Sequence, residues 1–183
     1  MSDVFLIETN PYLDNRGSFS ELFVDKFFQR GLKNKIQFCQ DNLTYSKKGV
    51  IRGLHYQLPP FSQSKLVSVL KGKVLDIVVD IRKGSSTFGK YLSQELSEQN
   101  KLQIFVPRGF AHGYITLSES SIFYYKVDQY YHPEKEGSIA PSDPTLNIDW
   151  KLPKTSWIQS KKDQKYLFLN EAKLFDYNEN LYG

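Results

Sequence analysis

The chain has 183 residues, a single cysteine (Cys39), a formal net charge of +4 and 15% aromatic side chains. That length buries a substantial core and reads as one domain over residues 1–183, while one cysteine excludes an intrachain disulfide framework. The lysines are scattered, with no arginine-rich run or zinc-finger spacing, so the charge fits a small phosphorylated ligand at least as well as nucleic acid, and no nucleic-acid partner is expected.

From the N-terminus, Met1 to Val4 shows neither a basic region nor a long apolar run, and no later stretch is long enough to span a bilayer. A soluble, cytoplasmic protein with no membrane partner is the expectation. Val4 to Ile7 reads as a short strand, and Asn10-Pro11 with Asp14-Asn15-Arg16-Gly17 as turn chemistry ahead of a strand at Ser18 to Phe23. Asp25 to Gly31 is predicted as a short helix, with Asp25 as N-cap and Gly31 at its end. Ile36 to Asn42 is predicted extended. Lys65 to Leu70, the turn Lys71-Gly72 and Lys73 to Ile81 read as the clearest hairpin. Strict alternation in its second strand puts Asp76 and Asp80 on one face. Further strands are predicted around Leu92 to Leu96, at Ile104 to Val106, Phe110 to Ile115 and Ile122 to Val127. Gly137 to Pro144 reads as loop, and the part after Trp157 as a tail with one or two short helices. Many short strands separated by Gly, Pro and Asn turns predict an all-β sandwich or jelly-roll barrel with short peripheral helices.

Within that frame, Val50-Ile51-Arg52-Gly53-Leu54-His55-Tyr56-Gln57 continues through a proline pair to Gln63-Ser64-Lys65. An imidazole, a guanidinium and an ammonium in one apolar strand context mark a candidate site, because burying polar groups is costly unless they are partnered or used. Histidine titrates closest to working pH, and the neighbouring cations suit a substrate that is anionic or becomes so during reaction. Simple alternation puts Arg52 and His55 on opposite faces. A shared site therefore requires a bulge or strand end near Gly53.

The ordered motifs carry a resemblance. Arg16-Gly17 with Phe19 and Glu21, Gln40-Asp41-Asn42, Arg52 to Gln57, Gln63 with Lys65-Leu66-Val67, Asp76 with Val79 to Arg82, Pro107 with Gly109 to Gly113, Tyr125-Lys126, Tyr130-Tyr131, and Ser160 with Lys162-Asp163 together resemble the dTDP-4-dehydrorhamnose 3,5-epimerase family. The resemblance implies a cupin-type jelly roll, a homodimer and neither metal nor organic cofactor. It also implies a nucleotide-linked 4-keto-6-deoxyhexose as substrate, inverted at C3 and C5. By that resemblance His55 is the base and Asp163 its carboxylate partner, Lys65 stabilises the enolate oxygen and Tyr125 returns a proton from the opposite face. His112, Arg52, Gln40 and Asn42 contact the substrate, Tyr131 stacks on the nucleobase of the substrate, and Ser160 and Lys162 complete the binding set. Arg16, Phe19 and Glu21 reach into the neighbouring subunit's site. His132 receives no role, and Asp76 reads either as a partner of Lys65 inside the barrel or as a sheet-face carboxylate. Ala140-Pro141-Ser142-Asp143 departs from the Trp-Asn-Asp common in the family. Three alternatives stay open: an epimerase acting at C3 only or on another nucleotide sugar, a non-catalytic sugar-binding barrel, and a metal-dependent cupin, against which stand only three histidines with no closely spaced pair.

Overall fold

Aromatic and β-branched side chains fit a pleated, half-buried surface. Strand is accordingly the commonest regular structure in this chain. The computed structural model describes Met1 and residues 3–183; Ser2, in the stretch read for a leader, lies outside the described residues. In chain order the strands are β1 (Phe5–Glu8), β2 (Tyr12–Asp14), β3 (Gly17–Phe19), β4 (Gln40–Lys47), β5 (Ile51–Gln57), β6 (Lys65–Lys71) and β7 (Lys73–Asp80). They continue as β8 (Arg82–Lys83), β9 (Tyr91–Ser97), β10 (Leu102–Val106), β11 (Phe110–Thr116), β12 (Ser120–Val127), β13 (Glu136–Ser138) and β14 (Phe175–Asp176).

Ten of these build two five-stranded sheets, ordered β1-β10-β6-β12-β4 and β13-β5-β11-β7-β9, with antiparallel neighbours throughout. Their facing surfaces form the inner core, in which Val67, Ile104 and Phe123 of the first sheet meet Val78, Phe110 and Tyr114 of the second. Each outer face is covered in part. Leu54, Ile77 and Ile115 of the second sheet lie beneath Trp150, Leu169 and Phe175 of the C-terminal segment, while Leu66 and Phe105 of the first pack under Phe23, Phe28 and Ile36. Strand β7 is therefore buried on both faces, and Asp76 and Asp80 are fully buried on the face that also carries Val74 and Val78.

The segment read as a hairpin is not one. Strand β6 pairs with β10 and β12, whereas β7 pairs with β11 and β9, so Lys71-Gly72 is a corner between sheets. Each strand already has two neighbours within its own sheet, leaving no edge for the other. Gly72 has φ +76°, and a Cβ there would lie 2.1 Å from the Ser120 carbonyl oxygen. The predicted helix also differs. It divides into α1 (Asp25–Phe28) and a 3₁₀ turn at Gln29–Gly31, with Val24 rather than Asp25 at the N-cap. Gln29 accepts the Ile36 backbone N–H and donates to its carbonyl, which ties down the exit.

Strand β3 ends at Phe19 because its partner β2 has only three residues, and the strand expected from Ile36 begins at Gln40, where Val127 supplies a partner. Within the expected Gly137 to Pro144 loop, β13 pairs with β5. A Cβ on Gly137 would fall 2.1 Å from the Tyr56 ring, so glycine lets this strand pass. The tail forms 3₁₀ turns at Lys154–Ser156 and Asp163–Lys165 and the strand β14, parallel to β8. Among the described residues no helix is long and apolar enough to cross a membrane.

Candidate active site

The site begins with a register shift. His55 pairs with His112 and Arg52 with Tyr114, so β5 spends one residue more than β11 between these pairs. The bulge expected near Gly53 is present, and it turns Arg52 and His55 toward one cavity. Gly53 has φ +115°, and a Cβ there would lie 2.6 Å from the Gly113 Cα.

That cavity, about 210 Å³, lies between the sheets and is lined by Thr44, Arg52, His55, Lys65, His112, Gly113, Tyr114, Phe123, Tyr125, Ser160 and Asp163. A larger groove of about 470 Å³ runs along β1 and α1. Convergence of titratable groups, rather than size, identifies the smaller cavity as the candidate active site. The second sheet contributes Arg52, His55 and His112, the first contributes Lys65 and Tyr125, and the tail contributes Ser160 and Asp163.

His112 is fixed inside the barrel, its Nε2 lying 2.8 and 3.0 Å from the two oxygens of fully buried Asp76. Asp76 stands opposite Tyr114 and His112 opposite Val78, so the pair is a diagonal contact on one sheet face. The direct bond of Asp76 is thus to His112, and its charge also reaches Lys65. Burial pushes the Lys65 ammonium down to about 8, against the opposing pull of the Asp76 and Glu136 carboxylates. Lys65 pairs across from Val127, two residues beyond Tyr125 on the same face. Burial raises the pKa of Tyr125, an effect that Tyr114 reinforces and the Arg52 charge opposes. Arg52 itself donates from Nε to Ser46 Oγ at 3.2 Å.

Around His55 three further groups gather. Its Nε2 is 3.6 Å from Asp163 Oδ1 and 4.0 Å from Glu136 Oε1. The Tyr166 hydroxyl stands between ring and carboxylate, 2.5 Å from Nε2, and donates to Asp163 Oδ1. In a 3₁₀ turn, side chains three apart eclipse, which brings Tyr166 over Asp163. Burial works to raise the Asp163 pKa, but His55, Tyr166 and Ser160 outweigh it and hold the carboxyl down at about 2. Glu136 is likewise lowered despite its burial, because Lys162 and Tyr131 both donate to its Oε2.

The remaining expected residues separate into three places. Gln40 and Asn42 continue the inner wall of β4 beside the cavity, with Asn42 opposite Tyr125 and Gln40 donating to Asn42 at 2.7 Å. Tyr131 and Lys162 meet at Glu136, next to His55. Arg16, Phe19 and Glu21 do not line the cavity of their own chain: Arg16 is paired with Asp14 on the β2–β3 hairpin, Phe19 is exposed, and Glu21 borders the larger groove.

The departing segment Ala140 to Asp143 does not line the cavity either. It anchors the tail instead, through Ala140 N–H to the Leu167 carbonyl at 2.8 Å and Leu169 N–H to Asp143 Oδ2 at 2.5 Å. Sequence reasoning missed Glu136, Tyr166, Thr44, Tyr114 and Phe123. The Asp-x-x-Tyr spacing of a single turn was an available signal for Tyr166, whereas Glu136 follows an unremarkable turn and offered none. Among the described residues no group of three metal-ligating side chains comes together.

A family model described as dTDP-4-dehydrorhamnose 3,5-epimerase matches residues 1–171. A dTDP-4-dehydrorhamnose 3,5-epimerase of Shigella flexneri is 46% identical over 150 residues, covering 82% of this chain and 83% of the relative. Among solved structures, the dTDP-4-dehydrorhamnose 3,5-epimerase of Elizabethkingia anophelis NUHP1 superposes with a TM-score of 0.88 at 46% identity, covering 92% of each chain. The dTDP-6-deoxy-D-glucose-3,5-epimerase of Legionella pneumophila Philadelphia 1, in complex with dTDP-4-keto-L-rhamnose, gives 0.93 at 45% identity, covering 98% of this chain and 96% of that one. The architecture is that of the cupin-type jelly roll.

Proposed function

This chain belongs to the dTDP-4-dehydrorhamnose 3,5-epimerase family, and we propose that it inverts C3 and C5 of a nucleotide-linked 4-keto-6-deoxyhexose, dTDP-4-dehydro-6-deoxyglucose, to give dTDP-4-dehydro-L-rhamnose. The observation that carries this proposal is the convergence of His55, Lys65 and Tyr125 on one small cavity, with the base and the phenol on opposite sheets. A C4 ketone acidifies the C–H bonds on either side. His55 removes such a proton, the Lys65 ammonium stabilises the enolate oxygen, and Tyr125 returns a proton from the other wall. Solvent then restores both groups, so the cycle moves protons only. Arg52, His112 and Ser160 hold the sugar and diphosphate, Gln40 and Asn42 extend that wall, and Tyr131 and Lys162 meet the nucleotide.

Incubation of the ketosugar with the protein in D2O tests the reaction. Deuterium at both C3 and C5 is the expected result. Label at C3 alone selects a single epimerase, and no label in any nucleotide-linked 4-ketosugar removes the enzymatic proposal.

The proposed assembly is a homodimer in which each single-domain chain sends Arg16, Phe19 and Glu21 to its partner's cavity. In support, Tyr12, Leu13 and Phe19 on the β2–β3 hairpin are 67%, 77% and 65% exposed, and the neighbouring edge strand β1 borders the larger apolar-lined groove. Edges of this kind are protected by pairing. Mixing inactive Arg16→Ala and His55→Ala proteins should restore up to roughly a quarter of wild-type activity if sites are shared across a twofold interface. No recovery on subunit exchange would remove the shared site. The proposed compartment is the cytoplasm, in line with the exposed free thiol of Cys39.

A further inference from the structure

We propose that Tyr166 is a positioning residue for the base: its hydroxyl links the Asp163 carboxylate to His55 and sets the imidazole in the Nε2–H tautomer, leaving Nδ1 as the basic nitrogen. The inference rests on His55 being the base, as in the function proposed above.

The direction of each hydrogen bond follows from donor and acceptor capacity. An ionised carboxylate only accepts, so the phenol commits its single proton to Asp163 Oδ1. Its oxygen is then left as an acceptor toward His55 Nε2 at 2.5 Å, and that nitrogen must carry hydrogen. The direct Nε2 to Asp163 separation of 3.6 Å exceeds a hydrogen bond, so the phenol is the route by which the carboxylate reaches the ring.

Glu136 is 4.0 Å from the same nitrogen, with its other oxygen occupied by Tyr131 and Lys162. Nδ1 has no protein partner. Among the described residues the Ser62 hydroxyl is the sole fully buried side-chain polar atom left unpaired, so Nδ1 is open to solvent or substrate. When Nδ1 accepts the proton from carbon, Nε2–H continues to donate to Tyr166 and Tyr166 to Asp163. The carboxylate thus balances the imidazolium charge with no proton passing along the link.

Tyr166→Phe removes one oxygen and keeps the edge-on ring contact with His55, whose centroids are 5.3 Å apart. The tautomer is read directly from ring ¹⁵N shifts of the three histidines, assigned by single replacement, above their titration range. Wild-type His55 is expected to show a protonated Nε2 and a pyridine-like Nδ1. In the variant the two tautomers should mix, and kcat should fall roughly 10- to 100-fold with KM unchanged, as expected for a lost positioning contact. An unchanged His55 spectrum or an unchanged kcat in the variant overturns the proposal, as does an Nδ1–H ring in the wild type. The spectra need no substrate, so failure here is distinct from failure of the epimerase reaction.

Discussion

Two histidines on facing positions of neighbouring strands each have a carboxylate partner, and the two pairs are built differently. His112 and Asp76 are joined directly, on adjacent strands of one sheet, with the carboxylate sealed in the barrel. His55, opposite His112, reaches its carboxylate through a phenol supplied by a turn more than a hundred residues away. The first pair is set by strand register and cannot shift without slipping the sheet. The second depends on a tail whose hold on the barrel is a few hydrogen bonds and an apolar cover. Rigid placement suits a group that holds substrate, and a ring with one open nitrogen suits a group that must gain and lose a proton.

The largest effect should come from removing the ring of the second pair. A positioned general base contributes about 100- to 10,000-fold, so His55→Ala should bring turnover and C–H exchange close to background while titration calorimetry still detects nucleotide-sugar binding. Near-normal turnover would move the base elsewhere.

A smaller effect, with a different signature, is expected from the first pair. Asp76 pulls the Lys65 ammonium upward against its desolvation, and Lys65 loses its proton as pH rises through about 8. An enzyme that needs this cation loses activity on that alkaline limb. Asp76→Asn removes the upward pull, so the limb in kcat/KM should move to lower pH, with a several-fold loss at about pH 8 and little at about pH 6. A limb that stays in place would separate Asp76 from Lys65 and leave it only the anchoring of His112.

The contrast between the pairs also explains what was legible beforehand. Alternation in β7 revealed that Asp76 and Asp80 share a face, because period two is a local property, and the clash of faces between Arg52 and His55 foretold the bulge at Gly53. Local pattern could not tell which sheet each strand joins. The Lys71-Gly72 turn reads the same whether it closes a hairpin or a corner, and only the pairing of β6 with β12 and of β7 with β11 decides. His55 and Lys65 stand in one stretch, but Tyr125 and Asp163 join them only through resemblance, since distant segments share no periodicity. Tyr166 and Glu136 stayed hidden because their importance lies in what folding brings beside them.

The smallest expected effect is thermodynamic and belongs to the second pair alone. The Asp163 carboxyl is held at about 2 in the folded chain, against 3.8 ordinarily. A depressed folded value means that the ionised carboxylate stabilises the native state above the unfolded value, and that this stabilisation disappears as pH falls from about 4 toward about 2. Full conversion of the shift would give a little over 2 kcal/mol, but the tail is partly solvated, so about 1–2 kcal/mol is the expected size. Urea unfolding of wild type and Asp163→Asn should therefore differ by that amount near pH 6 and converge as the acid is titrated. Asparagine keeps the shape and one hydrogen-bond acceptor, which isolates charge from packing. A gap of equal size at both ends of the pH range would show that Asp163 steadies the tail by shape rather than by charge, and would remove the electrostatic support that His55 receives through Tyr166.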